Sequence, residues 1–96
     1  MNKFMLMNYK GNYAMRVSTK REYEIFSKFL DDNGKTWRNG DSYLENIDWT
    51  NYREDTCFCF NEGIICGTFD ARHEGYTVLE FCNFSRYSWS WEGVNR

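Results

Sequence analysis

The four cysteines are the residues whose chemistry the sequence suggests first. Four thiolates can close a tetrahedral zinc site, and the chain carries four cysteines at positions 57, 59, 66 and 82. Their spacing lacks the gap of two to four residues between ligands that small zinc sites use. In a reducing cytoplasm such residues more often serve as small apolar packing groups. We therefore predict no metal site and no disulfide framework.

A hairpin predicted over residues 56–69 decides whether the thiols meet. With a three-residue loop that places Gly63 in the left-handed conformation, Phe58 lies opposite Cys66. Cys57 and Cys59 then point to the other face of the sheet. A slipped two-residue turn would instead bring Cys59 opposite Cys66.

Other catalytic groups are sparse. His73 is the only histidine and lies in a polar stretch, which indicates a solvated turn rather than a partner for a nucleophile. The carboxylate pairs 31–32 and 54–55 have no apolar surroundings that would raise a pKa. The glycines are isolated, so no phosphate-binding loop is predicted. We expect a protein that is not an enzyme and needs no cofactor.

Aromatic residues make up 20% of the chain, and the sequence YSWSW near its end is their sharpest pattern. As part of a predicted strand at 84–92 it places Tyr87, Trp89 and Trp91 on one face. One interpretation is an edge strand that closes the core. The other is a contact surface for a protein partner or a stacking platform for a base. On the second interpretation the predicted partner-binding residues are Trp37, Trp49, Tyr52, Tyr87, Trp89 and Trp91.

Periodicity and turn residues predict the elements that must position these rings. Thr19 and Glu22 have the spacing of a capping box, so a helix begins here and ends at Gly34. Strands are predicted at 3–9, 13–18, 43–49, 56–60, 64–69 and 76–81, with a polar turn at 70–75. The expected fold is a single α+β domain over residues 1–96, in which one helix packs on a mainly antiparallel sheet of five to six strands.

The charge pattern restricts the partners. Twelve basic and fourteen acidic residues are interspersed and give a net charge of −2, which disfavours binding to duplex nucleic acid or to an anionic membrane. The apolar run at 4–7 is too short for a signal peptide core or a membrane span. We expect a cytoplasmic protein, and leave its oligomeric state open.

The order of these signals resembles that of small uncharacterised proteins of tailed bacteriophages. The resemblance covers residues 13–81 and rests on three features: the T-x-x-E helix start, the G-x-x-W-x-x-G sequence at 34–40, and the strands that end at Phe81. Proteins of this kind commonly bind a host component. Many inhibit defence systems, either by occupying an effector protein, as anti-CRISPR proteins do, or by sequestering a nucleotide signal.

Two functions follow as expectations. The first is a phage-type protein that inhibits a bacterial host or defence protein by stoichiometric binding in the host cytoplasm. Its contacts would be aromatic anchors and the acidic loop in the middle third of the chain, which carries Asp41, Glu45, Asp48, Glu54 and Asp55. The second is a sponge that stacks a nucleotide-derived immune signal between aromatic rings. Its phosphates would be held by one or more arginines from the set Arg16, Arg38, Arg72 and Arg86.

Overall fold

The computed structural model describes residues 3–45 and 49–89, and of Tyr87 it describes the backbone alone. Two helices and four strands form in this part of the chain. In chain order they are β1 (Tyr13–Val17), α1 (Lys20–Asp32), β2 (Thr56–Cys59), β3 (Ile64–Gly67), α2 (Thr68–His73) and β4 (Thr77–Glu80).

The four strands lie in the order β3-β2-β1-β4. β2 pairs antiparallel with both β3 and β1, whereas β1 and β4 are parallel. The α+β class is therefore confirmed, but the prediction of five to six mainly antiparallel strands is wrong, because the described sheet is four-stranded and mixed. The count is lower because no strand forms in the described residues of 3–9 and 43–49, and the sheet is mixed because α2 replaces most of the predicted polar turn at 70–75. This helix links the two edges of the sheet, and β4 consequently enters beside β1 in the parallel sense.

Capping interactions set the two ends of α1 where the sequence predicts them. The Thr19 hydroxyl accepts a hydrogen bond from the Glu22 amide at 3.0 Å, and the Glu22 carboxylate accepts one from the Ser18 amide at 2.8 Å. At the other end Gly34 has a φ of 79°, and the Lys35 amide donates to the Leu30 carbonyl at 2.9 Å. This Schellman arrangement is the stop that Gly34 predicts.

The N-terminal segment is not the predicted strand at 3–9. It forms a short 3-10 turn at Leu6–Asn8, and the preceding Phe4 places its ring in the core with 2% exposure. The Phe4 amide donates to the Ser88 hydroxyl at 2.6 Å, so this backbone group is satisfied by a side chain rather than by a neighbouring strand. The predicted strand at 43–49 is also wrong where it is described: residues 43–45 form a turn, and 46–48 lie outside the described residues.

Two clusters of buried side chains lie on the two faces of the sheet. On one face α1 packs Phe26 and Leu30 against Met15, Val17 and Phe58. The smaller cluster on the other face consists of Ala14, Cys57, Cys59 and Ala71, the last of which comes from α2. The large rings thus belong almost entirely to the α1 face.

The YSWSW sequence contributes to the α1 face but not as a strand. Arg86–Ser88 form a 3-10 turn, and the Trp89 ring lies in the core with 2% exposure. Its centroid is 4.4 Å from that of Phe81, in a stacked arrangement, and 5.0 Å from that of Phe29, edge to face. The strand predicted at 84–92 is therefore wrong over 86–88. Residues 90–96, and with them Trp91, lie outside the described residues.

Candidate protein-binding surface

The predicted contact aromatics differ in their burial in the described part of the chain. Trp37 is half-buried against Tyr43, with ring centroids 4.4 Å apart, and its indole nitrogen donates to the Glu45 carbonyl at 2.9 Å. Trp49 is half-buried beside Tyr23. Trp89, being buried, offers no ring to a partner. For this residue the core interpretation is the one that the structure shows.

Among the members of the predicted set whose side chains the structure describes, Tyr52 is the most exposed, at 36%. Its ring lies against Gly67, where an added Cβ would come within 3.3 Å of the ring carbon Cδ1. Arg53, directly after it, has a φ of 49°, a left-handed conformation that an L-residue adopts at a cost of roughly 1–2 kcal/mol. The absence of a side chain at Gly67 and the turn at Arg53 together place Tyr52 beside the start of α2.

Phe69 is the residue that sequence reasoning missed. It was predicted within a strand, but it lies on α2, and 79% of its surface is exposed. Thr68 and Ala71 face the protein interior, the former through a hydrogen bond from its hydroxyl to the Asp55 carbonyl at 2.9 Å. The outward Phe69 ring stacks on His73 one turn later, with an interplanar angle of 9°. Thr68 and Ala71, the two buried residues of α2, are three positions apart, a spacing typical of a helix. This spacing could have indicated a helix whose outer face carries Phe69.

Phe69 and Tyr52 border a shallow depression of about 500 Å³. Two carboxylates, Asp55 and Asp70, and one guanidinium, Arg72, also line it. The acidic loop predicted as a contact region thus supplies Asp55. We call the surface formed by Tyr52, Asp55, Phe69, Asp70 and Arg72 the α2 surface. It combines exposed rings with a slight excess of negative charge on a helix that is anchored to the sheet.

Three of the four cysteines, Cys57, Cys59 and Cys66, lie together on one face of the sheet, contrary to the prediction from a three-residue loop. Cys57 on β2 lies directly opposite Cys66 on β3, and the Cys59 and Cys66 sulfurs are 3.5 Å apart. The predicted register is wrong because the loop contains four residues, closed by hydrogen bonds from the Glu62 and Gly63 amides to the Cys59 carbonyl. The extra loop residue shifts the pairing by one, which moves Cys66 to the face of its neighbours.

Burial determines the chemistry of these thiols. It raises the pKa of Cys57 to about 11, and it also raises the pKa of Cys59 and of Cys66. All three are therefore protonated at neutral pH and pack as apolar groups. Among the described residues no three histidine, cysteine or carboxylate side chains are placed to hold a metal ion.

The pKa of Cys57 makes stability depend on alkaline pH. The free energy of unfolding should be constant with respect to this group below about pH 8.5 and should fall as the pH rises to about 11, because the unfolded chain loses the thiol proton first. Because solvent screens part of this effect, the loss from Cys57 alone is at most about 3 kcal/mol, and it is complete only above about pH 11. Urea unfolding at pH 7, 9 and 10.5 measures it. The free energy of unfolding of Cys57→Ala should decrease less between pH 7 and 10.5 than that of the wild type. An equal decrease in both proteins would show that Cys57 does not cause the pH dependence.

The arginines of the nucleotide hypothesis do not converge on one cavity in the described residues. Arg16 bonds to Glu80 at 2.8 Å, an interaction that raises its pKa, and Arg38 pairs with Glu62 at 3.2 Å. Arg72 lies at the α2 surface, whereas Arg38 borders a separate groove beside Trp37. A phosphate site that combines these side chains is not formed here.

Comparisons with protein families, curated proteins and solved structures found no match. No helix in the described parts of the chain is long and apolar enough to cross a bilayer.

Proposed function

We propose that this protein binds a bacterial host or defence protein stoichiometrically and inhibits it, without catalysis, in the bacterial cytoplasm. The resemblance to small phage proteins supplies the context, and the α2 surface supplies the contact. This proposal moves the interface from the aromatic end of the chain to α2, because Trp89 is part of the core.

The observation that carries the proposal is the exposure of Phe69. Most of the described phenylalanines lie in the core, whereas Phe69 is 79% exposed. Burial of a phenylalanine side chain is worth about 1.5–3 kcal/mol, which this fold leaves unused. A single exposed ring is ordinary on a protein surface. Here Tyr52 lies at the same depression, and the backbone of α2 holds Phe69 in place, as in the aromatic anchors of protein interfaces.

The charges around Phe69 indicate the chemistry of the partner. Asp55 and Asp70 border the depression with Arg72, which gives a net charge of −1 for these three side chains. A complementary surface would offer an apolar pocket for Phe69 with lysine or arginine side chains at its edge. Rim charges of this kind act mainly on the association rate and its salt dependence.

Affinity capture from bacterial lysate, followed by reconstitution with the purified captured protein, tests the proposal. We expect a complex of fixed stoichiometry on size exclusion and loss of the captured protein's activity at equimolar inhibitor. The double variant Tyr52→Ser with Phe69→Ser should lose capture, because both rings leave the interface.

A matched control distinguishes binding through the α2 surface from non-specific binding through any exposed apolar residue. Leu44 and Met7 are also exposed apolar residues, at 45% and 70%, and they do not line the depression. Leu44→Ser with Met7→Ser should capture the same protein as the wild type. Equal capture by both double variants would exclude the α2 surface, and turnover of a substrate by the purified protein would exclude a non-catalytic role.

A further inference from the structure

A third concave site, apart from the α2 surface and the groove beside Trp37, lies between the N-terminal segment and the C-terminal end of α1. Its volume is about 440 Å³, within the usual range for pockets that bind small molecules. The N-terminal segment forms one wall, and the end of α1 forms another through Phe29 and Asn33. Asn61, from the β2–β3 loop, also lines it and fixes the N-terminal segment by donating to the carbonyls of Tyr9 and Gly11.

Positive charge is concentrated at this cavity. Lys3, Lys10 and Lys35 line it, and no aspartate or glutamate is among its described lining residues. The whole chain has a net charge of −2, so the positive charge of the cavity is opposite in sign to the net charge of the protein. The ion pairs found in the described residues involve other cations, namely Arg16, Lys28 and Arg38. Three lysines thus line the cavity, and none of the ion pairs found in the described residues involves them.

The same cavity has an apolar wall. Phe4 and Phe29 are among its lining residues and are almost entirely buried, at 2% and 5% exposure. Leu6 and Met7 extend this wall outward, and Met7 is 70% exposed. A ligand that filled the cavity would therefore place apolar surface against these side chains and charge against the lysines.

The C-terminal end of α1 opposes an anion, because helix carbonyls carry a partial negative charge. Most of these carbonyls are already satisfied. The Phe29 carbonyl accepts from the Asn33 side chain at 2.8 Å, and the Leu30 carbonyl accepts from the Lys35 amide at 2.9 Å. Of the nearby carboxylates, Asp32 pairs with Lys28, and Asp31 accepts from Ser42. The serine hydroxyl does not neutralise Asp31, but three lysine charges still exceed this one carboxylate and the remaining dipole.

We infer that this cavity binds a small organic phosphate of about mononucleotide size. The lysines would hold the phosphate group as point charges, and the apolar wall would pack against the body of the ligand. The site is separate from the α2 surface and shares none of its residues. It would allow ligand binding whether or not the protein inhibits a partner.

Titration of the full chain with adenosine 5′-monophosphate and with phenyl phosphate tests the inference, with adenosine and inorganic phosphate as the two halves of the ligand. We expect saturable binding of at least one organic phosphate, weaker binding of either half, and lower affinity at higher salt. Lys10→Gln with Lys35→Gln should weaken binding at least about tenfold, because two charge-assisted contacts are lost. Backbone amide shifts should localise the change to residues around Phe29 and Asn61.

Lys20→Gln with Arg21→Gln is the matched control, since it removes the same charge from exposed positions on α1 outside the cavity. The affinity of this control variant for the organic phosphates should stay within about twofold of the wild-type affinity, because salt screens charges that lie outside the cavity. The inference is overturned if neither organic phosphate shows saturable binding at millimolar concentration or if both double variants lose the same affinity. It is also overturned if adenosine or inorganic phosphate alone binds as tightly as the organic phosphates.

Discussion

Trp89→Ala should destabilise the protein by about 3–5 kcal/mol, the usual loss when a large buried ring is truncated. The indole is 2% exposed and lies among Phe4, Phe26, Phe29 and Phe81, so its removal leaves a cavity bounded by rings from several parts of the chain. A domain of this size has a total stability of about 5–14 kcal/mol. Urea unfolding followed by circular dichroism should show a much lower midpoint, or no folded baseline at all.

Phe69→Ala is the control for this prediction, because it removes an aromatic ring that packs in no core cluster. Its free energy of unfolding should stay within about 0.5 kcal/mol of the wild type. A Trp89→Ala protein as stable as Phe69→Ala would show that the end of the described chain does not close the core.

Gly63→Ala should be the second large loss, at least about 3 kcal/mol, because two costs add at one position. Gly63 has a φ of 74°, and an added Cβ would lie 2.5 Å from the Arg38 nitrogen and 2.9 Å from the Thr36 oxygen. Both neighbours are backbone atoms, which cannot rotate away as a side chain could. The methyl group would also disturb the hydrogen bond from the Arg38 amide to the Gly63 carbonyl, now 2.9 Å long.

Gly34→Ala separates the two costs. Gly34 has a similar φ of 79°, but nothing lies within 4 Å of the added Cβ, so the loss should be only the left-handed penalty of roughly 1–2 kcal/mol. Urea unfolding of both variants measures the difference. Equal losses would contradict the close approach of the 36–38 turn to the hairpin loop.

Features set by neighbouring residues were predictable from the sequence. The capping box at Thr19 and the stop at Gly34 depend on side chains and backbone atoms within a few residues, and both formed as expected. The hairpin was also predicted, but its register depended on one loop residue. That single residue decided which face Cys66 occupies.

Features set by distant contacts were not predictable. YSWSW has the period of a strand, yet Trp89 enters the core after a 3-10 turn because rings from the N-terminal segment, α1 and Phe81 surround it. α2 is only six residues long, too short for a clear amphipathic pattern, and this hid Phe69. The three cavity lysines are likewise far apart in sequence and were not among the cations proposed for a phosphate.

The dissociation constant of Phe69→Ala for the purified captured protein tests the central claim most directly. If the exposed ring is the anchor, the variant should bind at least about tenfold more weakly than the wild type, with an unchanged melting temperature. An unchanged dissociation constant would contradict the account and place the contact surface elsewhere on the molecule.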